Sequence, residues 1–139
     1  MIPPAKPFER HAPHLIKIGF GGGCHWCTEA VFQSLRGVSN VAQGFIKSQP
    51  PHDTFSEAVV VTFDPATIPL DVVIDVHLRT HASTSEHKMR GKYRSAVYVF
   101  SDAQAETVKV HIEAAQSDFT ETLVTMTLPF EGFDHSSAQ

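Results

Sequence analysis

The stretch Gly19–Cys27, GFGGGCHWC, contains both cysteines of the chain, its only tryptophan and three consecutive glycines. Before it, residues 15–20 alternate between the two sides of an extended chain, which predicts a strand. After it, apolar residues recur at helical spacing from Cys24 until Gly37 supplies a stop, which predicts a helix. The predicted inner stripe of this helix is Cys27, Ala30, Val31, Ser34 and Leu35. The glycines allow the sharp turn that joins the strand to the helix.

The spacing of the two cysteines favours redox chemistry. Cys24 falls on the first turn of the predicted helix, where unpaired N–H groups and the positive end of the helix dipole favour a thiolate. Cys27 follows about one turn later, close enough for a disulfide. Cys27 alone could equally be a buried core residue, since free cysteine is common in cores. A CxxC pair directly after a strand and a glycine turn favours a redox pair over simple packing.

The rest of the chain predicts an α+β fold. Strands are predicted at 39–46, Ser56–Phe63, Ser95–Phe100 and Thr122–Leu128. One helix is predicted from Pro69 to about Thr80, with Leu70, Val73, Ile74 and His77 inside. Another follows a capping box of Ser101 and Gln104, with Ala105, Val108, Ile112 and Ala115 inside. The first six elements read β-α-β-β-α-β, the order of a ferredoxin-like split β-α-β core, with an appended helix and strand.

Composition limits the classes of function. The 139 residues are 42% hydrophobic and 19% charged, with a net charge of −4. No apolar run is long enough to span a membrane, and no basic patch points to nucleic acid or to an anionic membrane surface. Residues 1–14 are predicted as a flexible proline-rich arm without a secretory signal, and 15–139 as one domain. Two cysteines in such a chain indicate a reducing compartment, here the cytoplasm.

Three blocks of residues resemble one family. Residues 20–30, FGGGCHWCTEA, are similar to the GCFW[GC]-x-E signature of the A-type peptide methionine sulfoxide reductases. SEAVVV at 56–61 with FDP at 63–65 resembles the HAEVV…YDP strand of that family, and KYRSA at 92–96 resembles its QYRSA. The blocks occur in the family order within residues 15–100. The resemblance implies that 15–139 form one methionine sulfoxide reductase-like domain.

The resemblance also implies a mechanism. Cys24 would be the nucleophile that attacks the sulfur of methionine-S-sulfoxide, free or in proteins, and Glu57 the acid that protonates the departing oxygen. The resulting sulfenic acid would condense with Cys27, and an external dithiol such as thioredoxin would reduce the disulfide. No bound cofactor is implied. The strand pattern puts Glu57 at the rim of an apolar face, where a carboxylic acid tends to keep its proton, although a solvated strand-end glutamate fits the same pattern.

Further residues are assigned to substrate binding by the resemblance. Trp26 would pack on the methyl group next to the sulfoxide, and Tyr93 would hydrogen-bond its oxygen. His25 replaces a family phenylalanine beside Trp26, and Phe45 replaces a family tyrosine that helps to hold the oxygen. From the residues alone, Trp26 could equally be a core anchor, and Tyr93 a strand-capping tyrosine. The basic residues Lys88, Arg90, Lys92 and Arg94 are expected to form a solvated loop face.

Other functions fit parts of the pattern. His77 and His81, spaced i, i+4, could join Cys24 and Cys27 in a zinc site, but about 49 residues separate Cys27 from His77, far more than the roughly 12–15 of a compact finger. A CxxC at a helix start also suits a thioredoxin-like disulfide exchanger, although that fold has a β-α unit before its dithiol. A binding module without catalysis is the third alternative.

Overall fold

A computed structural model describes residues 15–22, 25–80 and 94–135, without the side chains of residues 25–27. Within these ranges the strands are β1 Ile16–Gly21, β2 Val38–Lys47, β3 Ser56–Phe63, β4 Ala96–Val99, β5 Met126–Pro129 and β6 Gly132–His135. The helices of the same ranges are α1 His25–Gln33, α2 Leu70–Arg79 and α3 Asp102–Ala115, followed by a 3-10 turn at Gln116–Asp118. None of these helices is long and apolar enough to cross a membrane.

The described strands form one sheet in the order β5-β4-β1-β3-β2-β6. The four central strands pair antiparallel throughout, as β4-β1-β3-β2. This is the strand order of the predicted split β-α-β core. β5 extends it parallel to β4, after the crossover through α3. The predicted α+β fold with an appended helix and strand is therefore confirmed.

The sheet is strongly curled. β5 and β6 occupy opposite edges, yet only Phe130 and Glu131 connect them. In a flat sheet, strands this far apart in the order would lie about 24 Å from each other, since neighbours are about 4.8 Å apart. The chain from Pro129 to Gly132 can span at most about 11 Å. The edges therefore approach each other, and Phe130 N–H donates to Val99 O at 2.9 Å while Glu131 N–H donates to Lys47 O at 3.0 Å.

The curl gives the sheet two different faces. The helix face packs under α1, α2 and α3 and forms the larger apolar core, which includes Ile18, Phe20, Val59, Val61 and Phe63 from the strands and Phe32, Val73, Ile74, Leu78 and Val108 from the helices. The inner face lies inside the curl and has a smaller cluster of Ile46, Ala58, Ala96 and Tyr98. Successive residues of β3 alternate between the two faces, as predicted for SEAVVVTF.

Local signals account for most element boundaries. β3 has the predicted bounds. Pro69 occupies the N-cap position of α2, and Val73, Ile74 and His77 of that helix are buried as predicted. Ser101 caps α3, its hydroxyl accepting from Gln104 N–H at 3.1 Å.

Two predictions about elements are wrong in detail. α1 ends at Gln33, so Ser34 and Leu35 lie beyond the helix and its periodicity no longer applies to them. Ala30 is exposed, whereas Phe32 is fully buried. At the other end of the chain, the last predicted strand is Met126–Pro129 rather than Thr122–Leu128, and the sequence did not predict β6, a short edge strand with one apolar side chain.

Candidate active site

Three chain segments meet at one end of the sheet. Gly21, the last residue of β1, pairs with Ala58 near the start of β3 and with Ala96 at the start of β4. Along the chain, Glu57 directly precedes Ala58, and Gly21 and Ala96 are each three residues from another candidate, Cys24 and Tyr93. Cys24 and Tyr93 lie outside the described residues, as do the side chains of His25, Trp26 and Cys27. The described strands that flank the predicted residues therefore meet at one end of the sheet, across the ends of its central strands. We call this end the site edge.

The glycines at this edge are required by its geometry. A Cβ atom on Gly21 would lie 2.8 Å from Arg94 O and 3.2 Å from Glu57 O, so a side chain there would separate the three segments. Gly22 has a φ of 142°, which residues with a side chain rarely adopt. The glycine turn predicted from the sequence thus allows both the close approach of the strands and the change of direction after β1.

Glu57 and Phe45 lie directly opposite each other across β3 and β2. Directly paired residues project to the same side of a sheet, so both belong to the helix face, in line with Val59 and Val61. Each is half-buried. A carboxyl group and an aromatic ring are therefore side by side where the apolar core meets solvent. Of the residues that the resemblance assigns to catalysis or substrate binding, these are the two whose side chains the structure describes.

Glu29 in the cysteine motif docks α1 onto the sheet. Its carboxylate accepts a hydrogen bond from the amide of Gln43 on β2, two residues before Phe45. Gln33, one turn further along α1, donates to the other carboxylate oxygen at 3.5 Å. The helix that begins at His25 is thereby fixed to the strand that carries Phe45. No local pattern indicated this role of Glu29, because its partner Gln43 is distant along the chain.

His77 supports the end of β1. It is 2% exposed, and its Nε2 donates to Gly21 O at 2.8 Å. Its ring packs on Phe20 with the centroids 4.6 Å apart. Because Nε2 carries the proton of this hydrogen bond, that nitrogen is not open to a metal ion. Within the described ranges no group of three or more metal-ligating side chains occurs, and Cys24, Cys27 and His81 of the zinc alternative are not described there.

Arg94 does not belong to a solvated loop face, contrary to the expectation from sequence. It is 4% exposed, on the inner face. Its Nη2 donates to Ile46 O and to Thr54 O at 3.1 Å each, and its backbone N–H donates to Ser56 Oγ at 2.7 Å. The residue next to Tyr93 is therefore bound to the residue next to Glu57. No local pattern could have indicated this, because the acceptors are backbone carbonyls and a hydroxyl far along the chain.

Comparison with known proteins identifies the family. Residues 16–138 match the family model of the peptide methionine sulfoxide reductases. The peptide methionine sulfoxide reductase MsrA of Erwinia tasmaniensis is 33% identical over 118 residues, covering 75% of this chain and 66% of that protein. The chain thus spans about two thirds of the length of this relative.

Solved structures share the fold. Mxr1 of Saccharomyces cerevisiae in an unusual oxidized form matches with a TM-score of 0.81 at 20% identity, covering 89% of this chain and 77% of Mxr1. Mxr1 in complex with Trx2 matches with a TM-score of 0.76 at 21% identity, covering 92% of this chain and 85% of Mxr1. The resemblance inferred from the three sequence blocks is confirmed: the chain belongs to the peptide methionine sulfoxide reductase family.

Proposed function

We propose that this protein reduces methionine-S-sulfoxide, free or within proteins, to methionine. The observation that carries the proposal is the convergence of β1, β3 and β4 on one edge in a member of this family. That edge bears Glu57 and Phe45, and the adjoining chain supplies Cys24 after β1 and Tyr93 before β4. The sequence thus provides a nucleophile, an acid and a phenol where three strands end.

The reaction begins with attack of the Cys24 thiolate on the sulfoxide sulfur. Glu57 donates a proton to the sulfoxide oxygen, and that oxygen is transferred to Cys24 as the methionine leaves. Sulfur of the substrate is reduced and Cys24 is oxidised to a sulfenic acid. Tyr93 hydrogen-bonds the oxygen, Trp26 packs on the methyl group, and His25 and Phe45 complete the pocket. Glu57 is half-buried beside Phe45, at the border between the apolar core and solvent.

The thiols then return to their starting state. Cys27 attacks the sulfenic acid, forming a Cys24–Cys27 disulfide and releasing water. An external dithiol of the thioredoxin type reduces that disulfide by exchange, so the cycle needs no bound cofactor. The structure of Mxr1 with Trx2 supports a reductant of this class. A dithiol cycle of this kind belongs in a reducing compartment such as the cytoplasm.

Turnover of the two sulfoxide epimers tests the activity. With dithiothreitol as reductant, we expect reduction of the S epimer and not of the R epimer. Chromatography of the methionine formed measures the turnover. Cys24→Ser should abolish turnover, and Glu57→Gln should lower kcat by about 10²–10⁴-fold. Glu106→Gln, an exposed glutamate of α3, is the matched control and should retain wild-type kcat. Reduction of insulin without any turnover of the S epimer would favour the thioredoxin-like exchanger instead.

Mass spectrometry tests the role of Cys27. One equivalent of methionine sulfoxide, added without reductant, should produce a Cys24–Cys27 bond and a loss of two hydrogens from the protein. In Cys27→Ser the same treatment should leave a sulfenic acid on Cys24 that dimedone traps. Dimedone adducts of equal yield in the wild-type protein would show that Cys27 does not resolve the intermediate.

A further inference from the structure

Three polar side chains are buried together on the inner face, behind the edge that bears Glu57. Ser56, Arg94 and Tyr98 are 0%, 4% and 0% exposed, and we call them the inner-face cluster. Arg94 N–H donates to Ser56 Oγ at 2.7 Å, and Arg94 Nε donates to Tyr98 Oη at 3.0 Å. Arg94 thus links Ser56 to Tyr98.

Two members of the cluster adjoin residues of the proposed mechanism along the chain. Ser56 directly precedes Glu57, and Arg94 directly follows Tyr93. Alternation along β3 turns the Ser56 side chain into the curl and the Glu57 side chain to the helix face. The bond from Arg94 N–H to Ser56 Oγ therefore joins the backbone beside the proposed acid to the backbone beside the proposed phenol.

Arg94 also binds the connection between β2 and β3. Its guanidinium donates to Ile46 O, to Thr54 O and, at 3.4 Å, to Thr54 Oγ1. Among the described residues no carboxylate pairs with it. A buried guanidinium that donates to backbone carbonyls and hydroxyls holds chain segments in place instead of neutralising a charge. The start of β3 and the end of β2, which carries Phe45, are thus bound to the segment before β4.

We propose that the inner-face cluster is a positioning device. It holds the start of β3, which bears Glu57, against the segment that leads into β4, and so sets the position of the Glu57 carboxyl relative to the sulfoxide oxygen. The inference rests on the proposed function. Ser56, Arg94 and Tyr98 touch no reacting atom and act through their neighbours. Reactions of this kind are sensitive to position, because a misplacement of about 1 Å can cost about 10²-fold in rate.

A double-mutant cycle tests the proposal. Ser56→Ala removes the acceptor of Arg94 N–H, and we expect kcat for the S epimer to fall about tenfold or more with KM nearly unchanged. In the Glu57→Gln background the same substitution should change kcat by less than about twofold, since the positioned acid is already absent. The rate of Cys24 alkylation by iodoacetamide should stay at the wild-type value, because the nucleophile is not what the cluster positions.

Ser95→Ala is the matched control. Ser95 is also buried, at 2% exposure, but its hydroxyl bonds to Thr125 Oγ1 at 2.8 Å, towards β5 and away from β3. It should lower stability without lowering kcat. If Ser56→Ala does not fold, Tyr98→Phe serves in its place, with a loss in kcat of about threefold that again depends on Glu57.

Two results would overturn the positioning role. Equal losses of kcat from Ser56→Ala in both backgrounds would mean a general structural effect, and an unchanged kcat in a destabilised protein would mean stability alone. Failure of the proposed function is distinguishable, since it would appear as an unreactive wild-type protein or as turnover indifferent to Glu57→Gln. Either of those results removes the acid that the cluster is proposed to position.

Discussion

The two faces of the sheet are stabilised by different physical means. The helix face is filled by large apolar side chains, and Phe20, Phe32 and Phe63 are completely buried there. The inner face has small residues such as Ala58 and Ala96, together with the directional hydrogen bonds of the inner-face cluster. Apolar contacts stabilise without strict geometry, whereas each hydrogen bond fixes a distance and an angle.

This difference explains why the candidate site lies at the start of β3. Along the helix face, the apolar residues continue up to Val59, and Glu57 is the next residue on that side. The same strand end bears Ser56 on the inner face, where Arg94 holds it. Glu57 thus adjoins an apolar core on one face, while its backbone is held by hydrogen bonds on the other.

Removing a ring from the helix face should have the largest effect on stability. Phe20 stacks on Phe32 with centroids 4.9 Å apart and rings within 3° of parallel. Phe20→Ala should lower the free energy of unfolding by about 3–5 kcal/mol, because it leaves a cavity in the core. Urea denaturation followed by circular dichroism measures it.

Phe100→Ala provides the comparison for this substitution. Phe100 is 43% exposed and stacks on Phe130 with centroids 4.4 Å apart. Phe100→Ala should lower the free energy of unfolding by only about 1 kcal/mol. Equal losses from the two phenylalanines would contradict the view that the helix face provides most of the apolar stabilisation.

Much of the fold could be predicted from sequence because its signals are local. The alternation in SEAVVVTF gives the bounds of β3 and the side on which Glu57 lies, since strand residues alternate by geometry. Pro69 and Ser101 mark helix starts through their own backbone and hydroxyl chemistry. The glycine turn after β1 could be predicted for the same reason.

What the sequence did not predict depends on contacts between distant residues. Arg94 resembles its basic neighbours 88–92 in sequence, and only the backbone carbonyls of Ile46 and Thr54 distinguish it. β6 exists because the sheet curls and presents the edge of β2 to it. Glu29 is held by Gln43, fourteen residues away. The position of Glu57 could therefore be predicted from sequence, whereas the contacts that hold the candidate site in place could not.

Removing the charge from the inner face should have an intermediate effect. Arg94→Met eliminates the desolvation cost of the guanidinium but leaves Ile46 O and Thr54 O without their donor inside the curl. We expect the lost hydrogen bonds to dominate and the free energy of unfolding to fall by about 2 kcal/mol. Thermal and urea denaturation at neutral pH measure it.

Arg79→Met is the control for that substitution. Arg79 bonds to Asp75 at 2.8 Å and to Asp118 at 2.9 Å, but all three side chains are at least 44% exposed. Water and salt screen such pairs, so the unfolding midpoint should stay near the wild-type value. An Arg94→Met protein as stable as wild type would mean that the inner-face hydrogen bonds contribute geometry and no net stability.

The smallest effect, and the one with a pH signature, is expected from Tyr98→Phe. Removing the hydroxyl that accepts from Arg94 Nε should lower the free energy of unfolding by about 1 kcal/mol at neutral pH.

Burial raises the pKa of Tyr98 above 10.0, and this outweighs the opposing effects of Arg94 and of the Ser56 hydrogen bond. The folded wild-type protein therefore keeps this proton at pH values where the unfolded chain loses it. The associated stability is fully present below about pH 10 and is lost as the pH rises through the raised pKa. Since phenylalanine has no such proton, denaturation curves of the two proteins should converge above pH 10. A difference that stays constant up to pH 11 would mean that the Tyr98 hydroxyl is not held in the dry interior of the curl.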